Sequence, residues 1–180
     1  MRFSEIEPFI RDGSYEIDVF LDTLELTLDG FRKTYNLELN PDFQRSVVWT
    51  EQQQIDYLEF FFRGGRTART IYFNSPAFGT GERGDLDETI LCVDGLQRIT
   101  SFLRFINNEI PIFGTYYRDF KDSPRITQKL TFNINALKYR SEVLEWYLKF
   151  NSGGTVHTQE ELERVRILLE ESLIAQQSKS

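Results

Sequence analysis

The sequence is poor in the residues from which several kinds of site are built. It has one cysteine, Cys92, and one histidine, His157, so it can form neither an internal disulfide nor a zinc site of cysteines and histidines. No apolar run approaches the roughly 20 residues that cross a bilayer, and no N-terminal signal is visible. A net charge of −7 argues against coating nucleic acid or an anionic membrane through overall charge. We therefore expect a cytoplasmic protein that does not associate with membranes.

The chain does contain enough apolar material for one packed domain. It has 180 residues, of which 40% are hydrophobic and 14% aromatic. This length suits one core and leaves little room for a second. We predict an N-terminal extension over residues 1–14, a single domain over 15–175 and a disordered tail over 176–180.

Hydrophobic periodicity predicts an α+β domain, a small mixed sheet flanked by helices. Alternating or β-branched and aromatic runs predict strands at 15–19, 70–74, 89–93 and 130–135. Helical spacing predicts helices over 20–35, from Thr50 to Gly64, over 99–106, around 143–148 and after Thr158. Gln53 and Glu161, three residues after Thr50 and Thr158, predict two capping boxes. Residues 109–129 are rich in turn-forming and aromatic residues and are predicted to be irregular but packed.

Three weaker signals have plainer explanations. The glycines at 79, 81 and 84 have dinucleotide-binding spacing, but a strand rather than a helix follows them, so we interpret them as a loop. Cys92 lies inside an apolar strand and is predicted to be a core residue rather than a nucleophile. His157 precedes the Thr158 cap and is predicted to be a surface loop residue.

The segment from Val93 to Thr100 is the most informative. A strand ends in an Asp94-Gly95 turn and a helix follows at once, which places free backbone N–H groups at one point. Arg98 in the first helical turn is unfavourable for the helix dipole unless an anion lies beside it. The alternative is a local Arg98–Asp94 salt bridge with no ligand.

Two further segments and one cluster carry candidate contacts. Arg45, between Phe43 and Trp49, could bind a phosphate while the tryptophan stacks on a base, or Trp49 could be core and Arg45 structural. The glycine pair after Asn151 permits close backbone approach, which an ordinary helix ending explains equally well. A basic turn is a candidate DNA contact or a solvated loop, and comprises Arg63, Arg66 and Arg69.

Taken in this order, these segments resemble the ParB/sulfiredoxin-like family with an Asp-Gly-Gln-Gln-Arg signature. That family is known as the N-terminal half of GmrSD-type, modification-dependent restriction enzymes and related phage-defence proteins. The matching residues are Phe43-Gln44-Arg45 with Trp49, Asp94-Gly95-Leu96-Gln97-Arg98 with Thr100, and Asn151 with Gly153-Gly154-Thr155. Leu96 stands where the signature has its first glutamine.

The resemblance implies a ParB-like fold and a site for a nucleoside triphosphate with Mg²⁺. It implies catalytic roles for Asp94, Gln97 and Arg98, with Asp94 also on Mg²⁺ and Trp49 stacking on the base. It implies nucleotide or phosphate contacts from Gln44, Arg45, Gly95, Leu96, Gln97, Arg98, Thr100, Asn151, Gly153 and Gly154. The expected function is a nucleotide switch or sensor, extending to weak NTPase activity, in DNA restriction, phage defence or its evasion.

The sequence is also compatible with other functions. Relatives that cut DNA carry a second, histidine-containing nuclease domain, so no nuclease activity is expected from a chain with one histidine. The chain could instead be a non-catalytic protein-interaction module, or a DNA-phosphate-binding domain, with structural motifs. A DNA-processing partner, a homodimer and a stand-alone, phage-encoded protein are each compatible with the sequence.

Overall fold

The computed structural model describes residues 15–80, 83–122, 128–151 and 158–178. The predicted N-terminal extension lies outside these residues, as do Gly153, Gly154 and His157. The described elements are β1 (Tyr15–Phe20), α1 (Leu24–Tyr35), α2 (Glu51–Phe62), β2 (Thr70–Asn74), β3 (Leu91–Asp94), α3 (Leu96–Ile106), β4 (Lys129–Asn135), α4 (Arg140–Asn151) and α5 (Gln159–Gln177). No helix among the described residues is both long enough and apolar enough to cross a bilayer.

The described strands form one mixed sheet in the order β1-β4-β2-β3. β4 pairs antiparallel with β1, with Ile17 opposite Phe132, and parallel with β2, where Ile71 is opposite Phe132. β3 then pairs antiparallel with β2. The predicted α+β fold with a small mixed sheet is confirmed.

Side chains alternate between the two faces of the sheet and so separate two cores. Phe73 and Cys92 face a larger core that also receives α1, α2 and α3. Leu91 and Val93 face a smaller core built with α4, α5 and Phe43. β3 therefore lies between the two helical layers, and its carboxyl end opens where they meet.

Both predicted capping boxes are confirmed. The Thr50 hydroxyl accepts a hydrogen bond from the Gln53 backbone at 3.3 Å, and the Gln53 side chain accepts one from the Thr50 backbone at 2.9 Å. Thr158 and Glu161 make the same exchange at 3.1 and 2.9 Å. These reciprocal bonds satisfy N–H groups that a helix start otherwise leaves unpaired, and so fix where α2 and α5 begin.

Some element boundaries differ from the prediction. Phe20 ends β1 and Leu21–Thr23 form a short 3-10 helix, so α1 begins only at Leu24. β3 begins at Leu91 rather than at 89, because the Ile90 backbone bonds to the end of α1 and to the loop after it, donating to Tyr35 O at 3.0 Å and accepting from the Glu38 N–H at 2.8 Å. α5 continues to Gln177, two residues beyond the predicted domain limit.

Candidate functional site

The candidate site begins at the turn between β3 and α3. Gly95 follows Asp94 with φ of 120°, a conformation that residues with a Cβ rarely adopt. A Cβ at this position would lie 2.7 Å from Cδ1 of Ile71. Glycine therefore lets the strand pass directly into the helix, and the first N–H groups of α3 emerge at the end of the sheet.

A cleft of about 230 Å³ opens at this turn. One wall is the segment that precedes α2, the second is the start of α3, and the end of α4 closes it. The lining residues are Gln44, Arg45, Trp49, Asp94, Gly95, Leu96, Gln97, Arg98, Phe150 and Asn151. The structure thus brings the three sequence segments together in one place. Thr100 lies in α3 outside this lining.

Asp94 and Arg98 form an ion pair inside the cleft. The side chain of Asp94 keeps 29% of its exposure and that of Arg98 keeps 15%. The local salt bridge considered from the sequence therefore exists. Because both groups line the cleft, the same pair is also accessible to a ligand there.

Arg45 supplies a second positive charge to the cleft. It is half-buried and forms no ion pair with any residue that the structure describes. It also interacts with Tyr147 of the smaller core, whose pKa burial raises to about 12. The charge of Arg45 and a hydrogen bond from its backbone oppose that rise.

Gln97 connects the two walls of the cleft. Its Oε1 accepts hydrogen bonds from the backbone N–H groups of Val48 at 3.0 Å and Trp49 at 3.1 Å. Its Nε2 donates to Ser46 O at 3.1 Å. Both ends of the amide are therefore engaged with the backbone, so in this structure Gln97 positions the segment 46–49.

Gln44 makes a similar connection to the sheet. Its Nε2 donates to the carbonyl oxygens of Cys92 at 3.2 Å and Val93 at 3.3 Å. Cys92 itself is fully buried, and burial raises the pKa of its thiol above the usual range. The prediction that Cys92 is a core residue is confirmed.

Two arginines, one in α4 and one in α5, hold the loop between α1 and α2, and sequence reasoning missed both. Arg140 makes two hydrogen bonds to the Asp42 carboxylate, at 2.7 and 2.8 Å. Arg164 donates to Asp42 O at 2.9 Å and to Gln44 O at 3.0 Å. These partners are distant in sequence, so no local pattern signals them.

Aromatic side chains line the rim of the cleft. Trp49 is half-buried, with its ring centroid 5.4 Å from that of Tyr57. Phe150, which sequence reasoning did not assign to the site, is 39% exposed and lies 4.9 Å from the ring of Tyr72. Trp49 is therefore both partly core and available at the cleft.

The basic turn does not act as one unit. Arg69 donates to the carbonyl oxygens of Gly65 at 2.5 Å and Phe61 at 2.9 Å, and its guanidinium lies 3.9 Å from the Phe61 ring centroid. Arg69 thus stabilises the turn itself. Arg63 and Arg66 are exposed.

The donor set limits how a metal ion could be held. Among the described residues, no group of three or more histidine, cysteine, aspartate or glutamate side chains is placed to hold one. Asp94 offers one carboxylate at the cleft. A single carboxylate fits Mg²⁺ that takes its remaining ligands from phosphates and water.

The family is established by comparison with known proteins. A model of the GmrSD restriction endonuclease, N-terminal domain, matches residues 27–152, a range that includes every residue lining the cleft. No curated protein and no solved structure matches the chain. A match to this family implies a role in restriction. The chain therefore belongs to the family of GmrSD restriction endonuclease N-terminal domains.

Proposed function

We propose that the cleft binds the phosphates of a nucleoside triphosphate. The observation that carries this proposal is the meeting of two arginines, Arg45 and Arg98, with the first N–H groups of α3 in one cleft. Backbone N–H groups at a helix start and arginine forks are both good phosphate ligands. An anion between them also explains why an arginine occupies the first turn of α3, where its charge opposes the helix dipole.

The size of the cleft favours the phosphates over the whole nucleotide. Pockets that enclose a drug-sized ligand usually measure about 300–1,000 Å³. At about 230 Å³, this cleft is smaller. The triphosphate would lie inside it and the base would stack at the rim, where Trp49 and Phe150 are available.

Asp94 is the proposed ligand of Mg²⁺. It is paired with Arg98, so a phosphate that attracts the guanidinium would leave the carboxylate free. Mg²⁺ would neutralise charge on the phosphates. Weak NTPase activity, with Asp94 orienting the attacking water, is the extension of this proposal.

Occupancy of the cleft would act as a switch because both arginines belong to segments that are joined to the rest of the domain. Arg98 follows Gln97, which holds the backbone of 46–49, and Arg45 precedes that segment. A phosphate bound between the arginines would therefore alter how residues 46–49, which lead into α2, are held. In a restriction protein, this would make the domain a nucleotide sensor.

The test is calorimetric titration of ATP, GTP, CTP and UTP with Mg²⁺ against wild type and Arg98→Ala. We expect saturable binding of at least one nucleotide, weakened about 10- to 150-fold by the loss of a charge-assisted contact. Binding by Arg98→Ala equal to that of wild type, or no binding of any nucleotide to wild type, would show that the Asp94–Arg98 pair is structural.

Arg104→Ala is the matched control, because Arg104 is a half-buried, ion-paired arginine on the same helix. It contacts Glu51 at 2.8 Å, Gln54 at 2.8 Å and Glu109 at 3.1 Å, outside the cleft. The opposite end of the Gln54 amide still donates to Trp49 O at 3.2 Å. We expect this variant to lower the melting temperature and to retain nucleotide binding.

A further inference from the structure

Phe113 occupies an unusual position in a tight turn. Ile112 and Thr115 exchange backbone hydrogen bonds of 3.0 and 2.9 Å across two residues, Phe113 and Gly114. Their φ angles are 47° and 72°, both positive, as in a type I′ turn. The first central position of that turn favours asparagine, aspartate or glycine, and a bulky residue with positive φ is an outlier.

The Phe113 ring does not gain burial in exchange for this backbone strain. The residue is 44% exposed. Its N–H donates to Oε1 of Glu59 at 2.8 Å, which fixes the turn to α2. A strained residue that is held rigidly and faces solvent is typical of a binding site rather than of a core.

Arg63 lies over this ring, and Phe60 and Arg66, three residues before and after Arg63 in the chain, add an aromatic and a second basic side chain. The guanidinium of Arg63 lies 4.9 Å from the Phe113 ring centroid. The ring of Phe60 is 46% exposed and covers Gly65, where a Cβ would meet it at 2.3 Å. Phe60, Arg63, Arg66 and Phe113 are called the Phe113 surface below.

The charge of the Phe113 surface contrasts with that of the chain. Arg63 and Arg66 are exposed and form no ion pair with a described residue. Glu59 brings a carboxylate to the turn, where it accepts a hydrogen bond from the Phe113 N–H and keeps its negative charge. Two arginines against this one carboxylate leave the surface with a positive charge on a chain whose net charge is −7.

We propose that the Phe113 surface binds DNA at an unpaired base, which stacks on the Phe113 ring while Arg63 and Arg66 contact the adjacent phosphates. Exposed aromatic rings beside arginines are the combination that binds unstacked bases and their backbone. The two exposed arginines, which form no ion pair with a described residue, favour a nucleic acid over a protein segment. Arg69 is not part of this site, because its guanidinium is engaged in the turn.

The key variant is Phe113→Asn, because it separates binding from folding. Asparagine adopts positive φ more readily than phenylalanine and suits the first central position of a type I′ turn. The melting temperature of the Phe113→Asn protein should therefore equal or exceed that of wild type. Its affinity for a fluorescein-labelled single-stranded oligodeoxynucleotide, measured by anisotropy without nucleotide, should fall about fivefold or more.

The matched duplex and two arginine variants complete the test. Wild type should bind the single strand more tightly than the duplex, and Phe113→Asn should lose that preference. Arg63→Gln should reduce the salt slope for the single strand by about 0.7, the contribution of one phosphate contact. Arg166→Gln is the control, since it removes an equal charge from α5, where Arg166 pairs with Glu163 at 3.1 Å, and should bind like wild type.

Four results would overturn the proposal. They are no saturable DNA binding at about 50 mM salt, unchanged affinity in Phe113→Asn, equal losses in Arg63→Gln and Arg166→Gln, and a lower melting temperature in Phe113→Asn. A lower melting temperature would show that the Phe113 ring has a structural role. The absence of DNA binding would leave a protein partner as the alternative ligand of the surface. Because this binding assay contains no nucleotide, a negative result would count against DNA binding at the Phe113 surface and not against nucleotide binding in the cleft.

Discussion

Gln97 joins α3 to the segment that carries Trp49, and Gln97→Met measures the strength of that connection. Methionine has a similar length and good helix propensity, so α3 should persist. The change removes the hydrogen bonds to Ser46 O and to the N–H groups of Val48 and Trp49. Ser46 and Val48 are exposed enough for water to replace their bonds, whereas Trp49 is half-buried.

The expected cost follows from these exposures. A net protein hydrogen bond contributes about 0.5–1.5 kcal/mol, and groups that regain water fall at the low end. We therefore expect the free energy of unfolding to fall by about 1–2 kcal/mol. For a domain of this size, the melting temperature should fall by about 2–8 °C.

Calorimetric melting and tryptophan fluorescence provide the readouts. Trp146 is only 2% exposed, so a change in acrylamide quenching reports mainly on Trp49. Gln97→Met should increase quenching and weaken nucleotide binding. Gln97→Glu should do less damage, because a carboxylate still accepts from both N–H groups and its charge suits the first turn of α3. A Gln97→Met protein with unchanged melting temperature and quenching would refute the role of Gln97 in holding this segment.

Two further substitutions test the structure around the cleft. Gly95→Ala should lower the free energy of unfolding by about 2 kcal/mol or more, because its φ of 120° disfavours alanine and its Cβ would lie 2.7 Å from Ile71; a denaturant titration like that of wild type would contradict this. Burial raises the pKa of Tyr147 from 10.0 to about 12, so its contribution to stability is present below pH 10.0 and is lost as pH rises towards 12. Tyr147→Phe should therefore flatten the alkaline fall in melting temperature over that range, and an unchanged slope would assign the fall to other groups.

The sequence was sufficient to predict what is set by local patterns. Capping boxes at Thr50 and Thr158 lie within four residues, so their chemistry is visible in one window. The strands and helices have clear periodicity, and the structure confirms most of them. The gathering of Arg45, Trp49 and Arg98 in one cleft was inferred only through a family resemblance, because periodicity says nothing about which loops meet.

Long-range contacts and unusual backbone conformations were beyond sequence reasoning. Arg140 and Arg164 hold the loop around Asp42 from the far end of the chain, and no spacing rule connects them. The turn at Phe113 was missed within a segment predicted to be irregular, because asparagine or aspartate before glycine is the usual signal and phenylalanine is not. The mismatch between this residue and its backbone conformation is the observation from which we infer a binding role for the turn.

The central place of β4 in the sheet limits when the domain can fold during synthesis. β2 can pair with β3, but β1 pairs only with β4, the last strand along the described chain, and β4 is also the strand that joins β1 to β2. Until Lys129–Asn135 has left the ribosome, β1 has no partner strand and the β2–β3 pair lacks its other neighbour, so their apolar faces have no completed sheet to join. Nascent chains of this kind depend on late, non-local pairing, which is slow and leaves them open to aggregation. Chaperone capacity could therefore influence how much of the folded domain a cell obtains.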